Sequence, residues 1–154
     1  MRKTLVNFIK KITEYDVEEC GLVIHSSQSW LCASPDEVVI VDGAPKKILE
    51  MNCPISKQNE QVLDKQGKLT HPYFEFHENR VQSFQQSHAY YTQCQILMYC
   101  TGLLVCDFFV YFPNLEYSLL TIARDEAFLS QFIPKIEISY VNYYISKLIC
   151  KYGI

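Results

Sequence analysis

The chain has 154 residues, 49% of them hydrophobic and 20% charged, an ordinary globular composition for one domain with its own core. Its formal charge of −3 and sequence pI near 5.8 exclude a whole-molecule field that would draw in a polyanion, so any nucleic-acid site must be local. The longest apolar run, 103–112, is too short to span a bilayer and is interrupted by Asp107, and seven cysteines without a secretory signal or a dense framework point to reduced thiols in an intracellular, cytoplasmic or nuclear protein.

Leu5, Phe8, Ile9 and Ile12 recur at helical spacing, and the acidic stretch Glu14, Asp16, Glu18 and Glu19 leads to Gly21, so the chain starts as the tail of a helix entering a turn. Residues 22–24, 30–33, 38–41 and 48–51 are short apolar or β-branched runs separated by Ser-Pro, Asp-Gly and Ala-Pro. They predict a meander of short strands, with Asp42-Gly43 as its clearest hairpin turn.

From residue 56 to about 84 the chain is mostly polar and keeps no period, predicting a long loop with short helical pieces. Lys46, Lys47, Lys57, Lys65, Lys68 and Arg80 are scattered cations in this middle third, which a solvated surface explains as well as a polyanion does. A helix over 87–100 should end at Gly102, a natural C-cap, followed by a strand pair over 106–112 and 117–122 around Pro113-Asn114. Asp125 fits the N-cap of a closing helical segment that runs to Lys151 and is expected to kink or break at Pro134. This order of elements predicts an α/β fold, a central mixed sheet flanked by helices in one domain over 1–154.

Three pieces carry candidate chemistry when read together. Ser34-Pro35-Asp36 delivers a carboxylate from a turn between two apolar strands, Leu49-Glu50-Met51-Asn52-Cys53-Pro54 places another near the end of the next strand, and Tyr90 to Gln95 lies on a helix. Phosphodiester hydrolysis calls for a hard divalent ion, and Mg²⁺ (or Mn²⁺) takes carboxylate, carbonyl and water oxygens. Asp36 and Glu50 would supply the carboxylates and Met51 a carbonyl. Side chains alternate along a strand, so the group at position 52 projects beside Glu50, where a base or cation would act on water. By contrast, His25, His71, His77 and His88 fall at no spacing that makes a metal cluster, and no paired cysteines make a zinc site.

Gly21-Leu22, Trp30-Leu31-Cys32-Ala33-Ser34-Pro35-Asp36, Glu50-Met51-Asn52-Cys53-Pro54, Tyr91-Thr92-Gln93-Cys94-Gln95 and Cys106-Asp107-Phe108-Phe109-Val110 occur in the order of five motifs of the YqaJ viral recombinase family. That family groups with the phage lambda exonucleases, and its motifs typically read G-L, W-L-G-A-S-P-D-G, E-I-K-C-P, Y-x-Q-x-Q and C-D-F-x-V. The resemblance implies a restriction-endonuclease-like core and a metal-dependent DNA exonuclease used in recombination, repair or end processing. Carried over, Asp36 and Glu50 look like the metal ligands, with Met51 as a further one, and Gln93 looks like the helix glutamine of the catalytic site. Tyr90, three residues before Gln93, shares its helix face.

The departures count as well. Asn52 stands where the family has its catalytic lysine, and an amide neither carries charge nor accepts a proton at neutral pH. Glu37 replaces the glycine after Ser-Pro-Asp, and an acidic residue that the family places on an upstream helix has no counterpart, as in a chain shortened at its N-terminus. The resemblance therefore implies a weakened or inactive nuclease. The alternative is a non-catalytic nucleic-acid-binding or protein-interaction module on the same fold.

Overall fold

The computed structural model describes residues 2–53, 74–77, 80–111 and 117–153. These fall into two compact units, Met1–Arg124 and Asp125–Ile154.

The first unit opens with helix α1 (Arg2–Thr13). Strands β1 (Asp16–Glu19), β2 (Val23–Ile24), β3 (Cys32–Ala33), β4 (Glu37–Val41) and β5 (Ala44–Asn52) follow, then β6 (Phe74–His77), β7 (Arg80–Phe84), helix α2 (Ala89–Thr101), β8 (Val105–Tyr111) and β9 (Tyr117–Ala123). Five strands form one sheet in the order β1-β4-β5-β8-β9. Only β5 and β8 run parallel, so the sheet is mixed, as expected. The strands β2 and β3 pair separately, and so do β6 and β7.

Cross-strand register sorts the side chains. Val39, Leu49 and Phe109 face α1, where they close with Ile9 and Val17 into a buried cluster. Ile48, Glu50, Cys106 and Phe108 belong to the other face, where the Tyr90 ring of α2 meets Phe108 at 5.2 Å. The residues 106–110 of β8 are all buried, as they must be in a strand covered on both faces. Each large aliphatic or aromatic side chain so enclosed contributes about 1.5–3 kcal/mol.

The punctuation read from sequence is found in the structure. Asp42 and Gly43 take φ of 53° and 73°, the left-handed pair that a tight two-residue hairpin needs between β4 and β5. Gly102 closes α2 in the left-handed region at φ 75°, its N–H bonded to the Met98 carbonyl. At the other end His88 caps α2, its Nδ1 accepting from the Tyr90 N–H at 3.1 Å.

Three expectations are corrected. The acidic stretch after α1 is an edge strand rather than a turn, because Val17 alone anchors β1, too little apolar content to show alternation. Residues 74–77 and 80–84, expected in a loop with helical pieces, pair as a β-hairpin, while most of that segment, with Pro113-Asn114, lies outside the described residues. Pro134 does not interrupt its helix. Within the second unit α3 (Glu126–Ser139), capped by the Asp125 carboxylate, runs through it, and a proline removes only one bond of a ladder held on both sides. The irregularity comes later, as a π-helical turn over Tyr140–Ile145 before α4 (Ser146–Tyr152). No helix among the described residues is long and apolar enough to cross a membrane.

One charged network on the α1 face escapes a sequence reading. Asp107 is fully buried and pairs with Lys47 Nζ at 2.6 Å; it also accepts from the Tyr15 hydroxyl at 2.9 Å and from Thr121 Oγ1 at 2.7 Å. Lys47 in turn donates to the Tyr15 hydroxyl. Burial pushes the Lys47 ammonium down, but Asp107 and Tyr15 together outweigh it and hold the group above its ordinary value of 10.5. Asp107→Ala leaves a half-buried ammonium and the Tyr15 and Thr121 hydroxyls without their acceptor, and we expect it to cost on the order of 2 kcal/mol in denaturant unfolding. A lysine raised on folding contributes fully below its unfolded value and loses that contribution as pH rises through the folded one. The gap between the wild-type and Asp107→Ala midpoints should therefore hold at neutral pH and narrow as pH rises past 10.5, leaving the part owed to the Thr121 bond.

Candidate functional site

The β4/β5 ladder ends at Glu37 opposite Leu49, whereas β5 continues against β8 as far as Asn52 opposite Val110. At this fork the two strands exchange side chains instead of backbone bonds. The Asp36 N–H donates to Glu50 Oε2 at 3.3 Å, and the Met51 N–H donates to Asp36 Oδ2 at 2.9 Å. From α2, Gln93 Nε2 donates to Glu50 Oε1 at 2.5 Å. Asp36, Glu50, Met51 and Gln93, which lie on a turn, a strand and a helix, are thus joined in one hydrogen-bonded group.

Each position has a local cause. Pro35 is buried, and its fixed φ turns the chain so that Asp36 enters opposite Glu50. Glu50 is only 7% exposed, an unusual place for a carboxylate unless it is bonded, and both of its oxygens accept N–H donors. Gln93 is exposed, one turn beyond Tyr90 on the same helix face. Two residues further, Gln95 is fully buried and donates to the Ala123 carbonyl at 2.9 Å, which ties α2 to the end of β9. The two glutamines of this helix therefore have separate tasks, one at the carboxylates and one in the scaffold.

Asn52 lies on β5 two residues past Glu50, on the same face, and its side-chain amide nitrogen is buried without a hydrogen-bond partner among the described residues. Glu37 is carried away from the site. Its register opposite Leu49 turns it toward the α1 face, where it is buried and adds, after desolvation, to raising the Cys20 thiol. Behind Glu50, the Cys106 thiol is held well above its ordinary value, first by its hydrogen bond with Cys94, then by burial and by the charges of Cys94, Glu50 and Asp107. A neutral buried thiol is a packing group, not a nucleophile. His25 is engaged structurally, its Nδ1 accepting from the Ser27 and Gln28 N–H groups and its ring stacked on Tyr99 at 4.4 Å.

No cluster of three or more His, Cys, Asp or Glu is present among the described residues. A divalent ion here would depend on the two carboxylates of Asp36 and Glu50, completed by carbonyl and water oxygens. That donor set suits Mg²⁺ or Mn²⁺, which are commonly held by one or two protein carboxylates. A hydrogen bond to one lone pair of a carboxylate oxygen does not exhaust it.

The family model described as a YqaJ-like viral recombinase domain matches residues 5–104, about two thirds of the sequence. The chain belongs to this family. Among solved structures it is similar to an alkaline exonuclease, LHK-Exo from Laribacter hongkongensis, with 26% identity, a TM-score of 0.55 and coverage of 93% of this chain and 69% of that one. LHK-Exo in complex with dAMP aligns with a TM-score of 0.56, 26% identity and coverage of 93% and 68%. No curated protein sequence gives a match. The fold is thus the restriction-endonuclease-like one expected from the five motifs, and the domain is exonuclease-like by family and architecture. Its carboxylate group sits at the fork between the antiparallel β4/β5 pair and the parallel β5/β8 pair.

The unpartnered amide makes a measurable claim. Replacing it with an apolar group of similar volume removes a buried, unsatisfied N–H donor, so Asn52→Leu should raise the unfolding free energy by about 1 kcal/mol. A lowered midpoint in thermal or urea unfolding would instead mean that the amide is bonded in solution.

Proposed function

We propose that the chain is a metal-dependent DNA exonuclease-type domain that binds Mg²⁺ or Mn²⁺ through Asp36 and Glu50 and has weakened phosphodiester hydrolysis. The observation that supports this reading is the mutual bonding of Asp36, Glu50 and Gln93 at the strand fork, in a chain of this family. The dAMP complex of LHK-Exo favours a deoxynucleotide as the ligand class.

In this reading the residues divide the work. Asp36 and Glu50 hold the cation, with the Met51 carbonyl as a further oxygen. When bound, the ion supplies Lewis-acid polarisation of a phosphoryl oxygen and acidifies a water. Gln93 fixes the rotamer of Glu50 by occupying Oε1, and the Met51 N–H fixes that of Asp36, so neither carboxylate must reorganise during the reaction. Water attacks phosphorus and gives its proton to solvent, while the phosphodiester P–O bond to the leaving nucleotide breaks and the departing alkoxide oxygen takes a proton from solvent.

Asn52 is where the mechanism is short of a group. Its amide can hydrogen-bond the attacking water or a phosphate oxygen, but it supplies no positive charge and takes up no proton. Loss of a positioned acid/base group typically lowers the rate by about 10²- to 10⁴-fold. Restoring a cation with Asn52→Lys should raise metal-dependent nucleotide release from linear duplex DNA by a factor in that range. Asp36→Ala should abolish both the release and the calorimetric heat of Mn²⁺ binding. Metal binding that survives Asp36→Ala and Glu50→Ala would overturn the ligand assignment. If Asn52→Lys leaves cleavage undetectable while metal binding is intact, the non-catalytic module is the better account.

A further inference from the structure

The loop between β2 and β3 folds around a single imidazole. Nδ1 of His25 accepts from the Gln28 N–H at 3.1 Å and from the Ser27 N–H at 3.3 Å, with Ser27 Oγ 3.5 Å away. Backbone bonds close the same turn, from the His25 N–H to the Leu31 carbonyl and from the Leu31 N–H to the Gln28 carbonyl. The loop is fastened in turn to α2. The His25 ring stacks on Tyr99 with centroids 4.4 Å apart and planes 6° from parallel, and the Tyr99 hydroxyl donates to Gln28 Oε1 at 2.8 Å. Connectivity extends this contact to both sides of the carboxylate group: Asp36 follows three residues after Ala33 of β3, and Gln93 lies six residues before Tyr99 on α2.

Two main-chain donors on one ring nitrogen fix its chemistry. Nδ1 needs its lone pair for them, so the neutral ring carries its proton on Nε2. A protonated imidazole has an N–H on both nitrogens and no lone pair to offer. The Ser27 hydroxyl can turn to accept from it, but the two loop amides then face another donor, and flipping the ring only puts a carbon where Nδ1 was. Nothing around the ring compensates the added charge. Among the described residues it faces Tyr99 of α2, and the Arg124 guanidinium just past β9 already lies 5.5 Å from the centre of that tyrosine ring. On β3, Cys32 is opposite Ile24 rather than His25.

We propose that His25 is a proton-operated clasp: its neutral ring holds the β2–β3 loop closed and docked on Tyr99, and protonation releases the loop from α2. The chain's single tryptophan, Trp30, lies in this loop, so its emission reports the clasp without metal or DNA. The full chain is titrated from about pH 8 to about pH 5, a span that brackets an ordinary imidazole. Trp30 emission should pass through one transition, and the Ser27 and Gln28 amide signals in nitrogen–proton NMR spectra should move with it. Losing two modest hydrogen bonds should favour the released loop by roughly tenfold. His25→Asn removes the titrating group but keeps an acceptor, since Asn Oδ1 is two bonds from Cβ as Nδ1 is; it should hold both amides at their high-pH positions throughout. His25→Ala should place them at the released positions at every pH. A wild-type transition that persists in His25→Asn overturns the clasp, as do Ser27 and Gln28 amides that do not respond to pH in the wild type. His88 also accepts through Nδ1, from the Tyr90 N–H at the other end of α2, and a transition that vanishes in His88→Asn instead assigns the proton to that cap and overturns the proposal. Far-ultraviolet circular dichroism should stay constant over the span; ellipticity lost in step with the emission would mean global acid unfolding, which also overturns it.

Discussion

The site exists because β5 keeps a partner on one side after losing it on the other. Up to Leu49 its backbone is bonded to β4 and β8; beyond it only β8 remains, and the Met51 N–H turns to a side chain instead. A buried N–H without an acceptor costs about as much as a lost hydrogen bond. Asp36 meets that demand for Met51, and Glu50 does the same for the N–H of Asp36. The carboxylates at the fork are therefore part of the sheet's hydrogen bonding as well as candidates for chemistry. Removing one disturbs the scaffold and the site together, so a stability readout must accompany any activity readout for these two positions.

The same strand alternation separates two buried carboxylates, Glu50 and Asp107, that are one register step apart across β5 and β8. Asp107 pairs in register with Leu49 and faces α1, while Phe108 pairs with Glu50 on the α2 face. Asp107 is neutralised by Lys47 and bonded by Tyr15 and Thr121, so its charge is satisfied without reference to the site. Had the register slipped by one residue, Asp107 would face α2 beside Glu50, with no cation for either. The ion pair thus contributes to register as much as to stability, because only one alignment of β5 against β8 matches Lys47 with Asp107.

What could be read from the sequence was whatever depends on local chemistry. Gly102 and Asp125 mark helix ends through single residues, Asp42-Gly43 marks a hairpin, and the ordered strings around Asp36, Glu50 and Gln93 carried enough information to bring three distant segments together. What escaped depends on neighbours. The strand β1 has one buried residue in four and is a strand only because β4 offers it a ladder. Glu37 reads as an addition to the Ser-Pro-Asp turn, yet one step along a strand reverses the face, and the side chain leaves the site that its neighbour Asp36 enters. Lys47 looked like one of several scattered surface cations, and nothing local distinguishes it from Lys46. Its partner is sixty residues away, and only the parallel pairing of β5 with β8 puts them together.

Position 52 lies beside the carboxylates without sharing in their hydrogen bonds. Asn52 occupies the β5 position next to Glu50, on the face that α2 covers, and its amide nitrogen is buried without an acceptor among the described residues. Packing alone would favour an apolar side chain at this half-buried position, because an unsatisfied buried donor costs about 1–3 kcal/mol. An amide makes sense where its acceptor arrives from outside, as a water or a phosphate oxygen. In that case the donor's cost in the free protein is recovered on binding, and the residue contributes to affinity even where it adds little to rate. On the proposed reading the amide would hold a ligand beside the carboxylates, whose own contacts do not use the side chain at position 52.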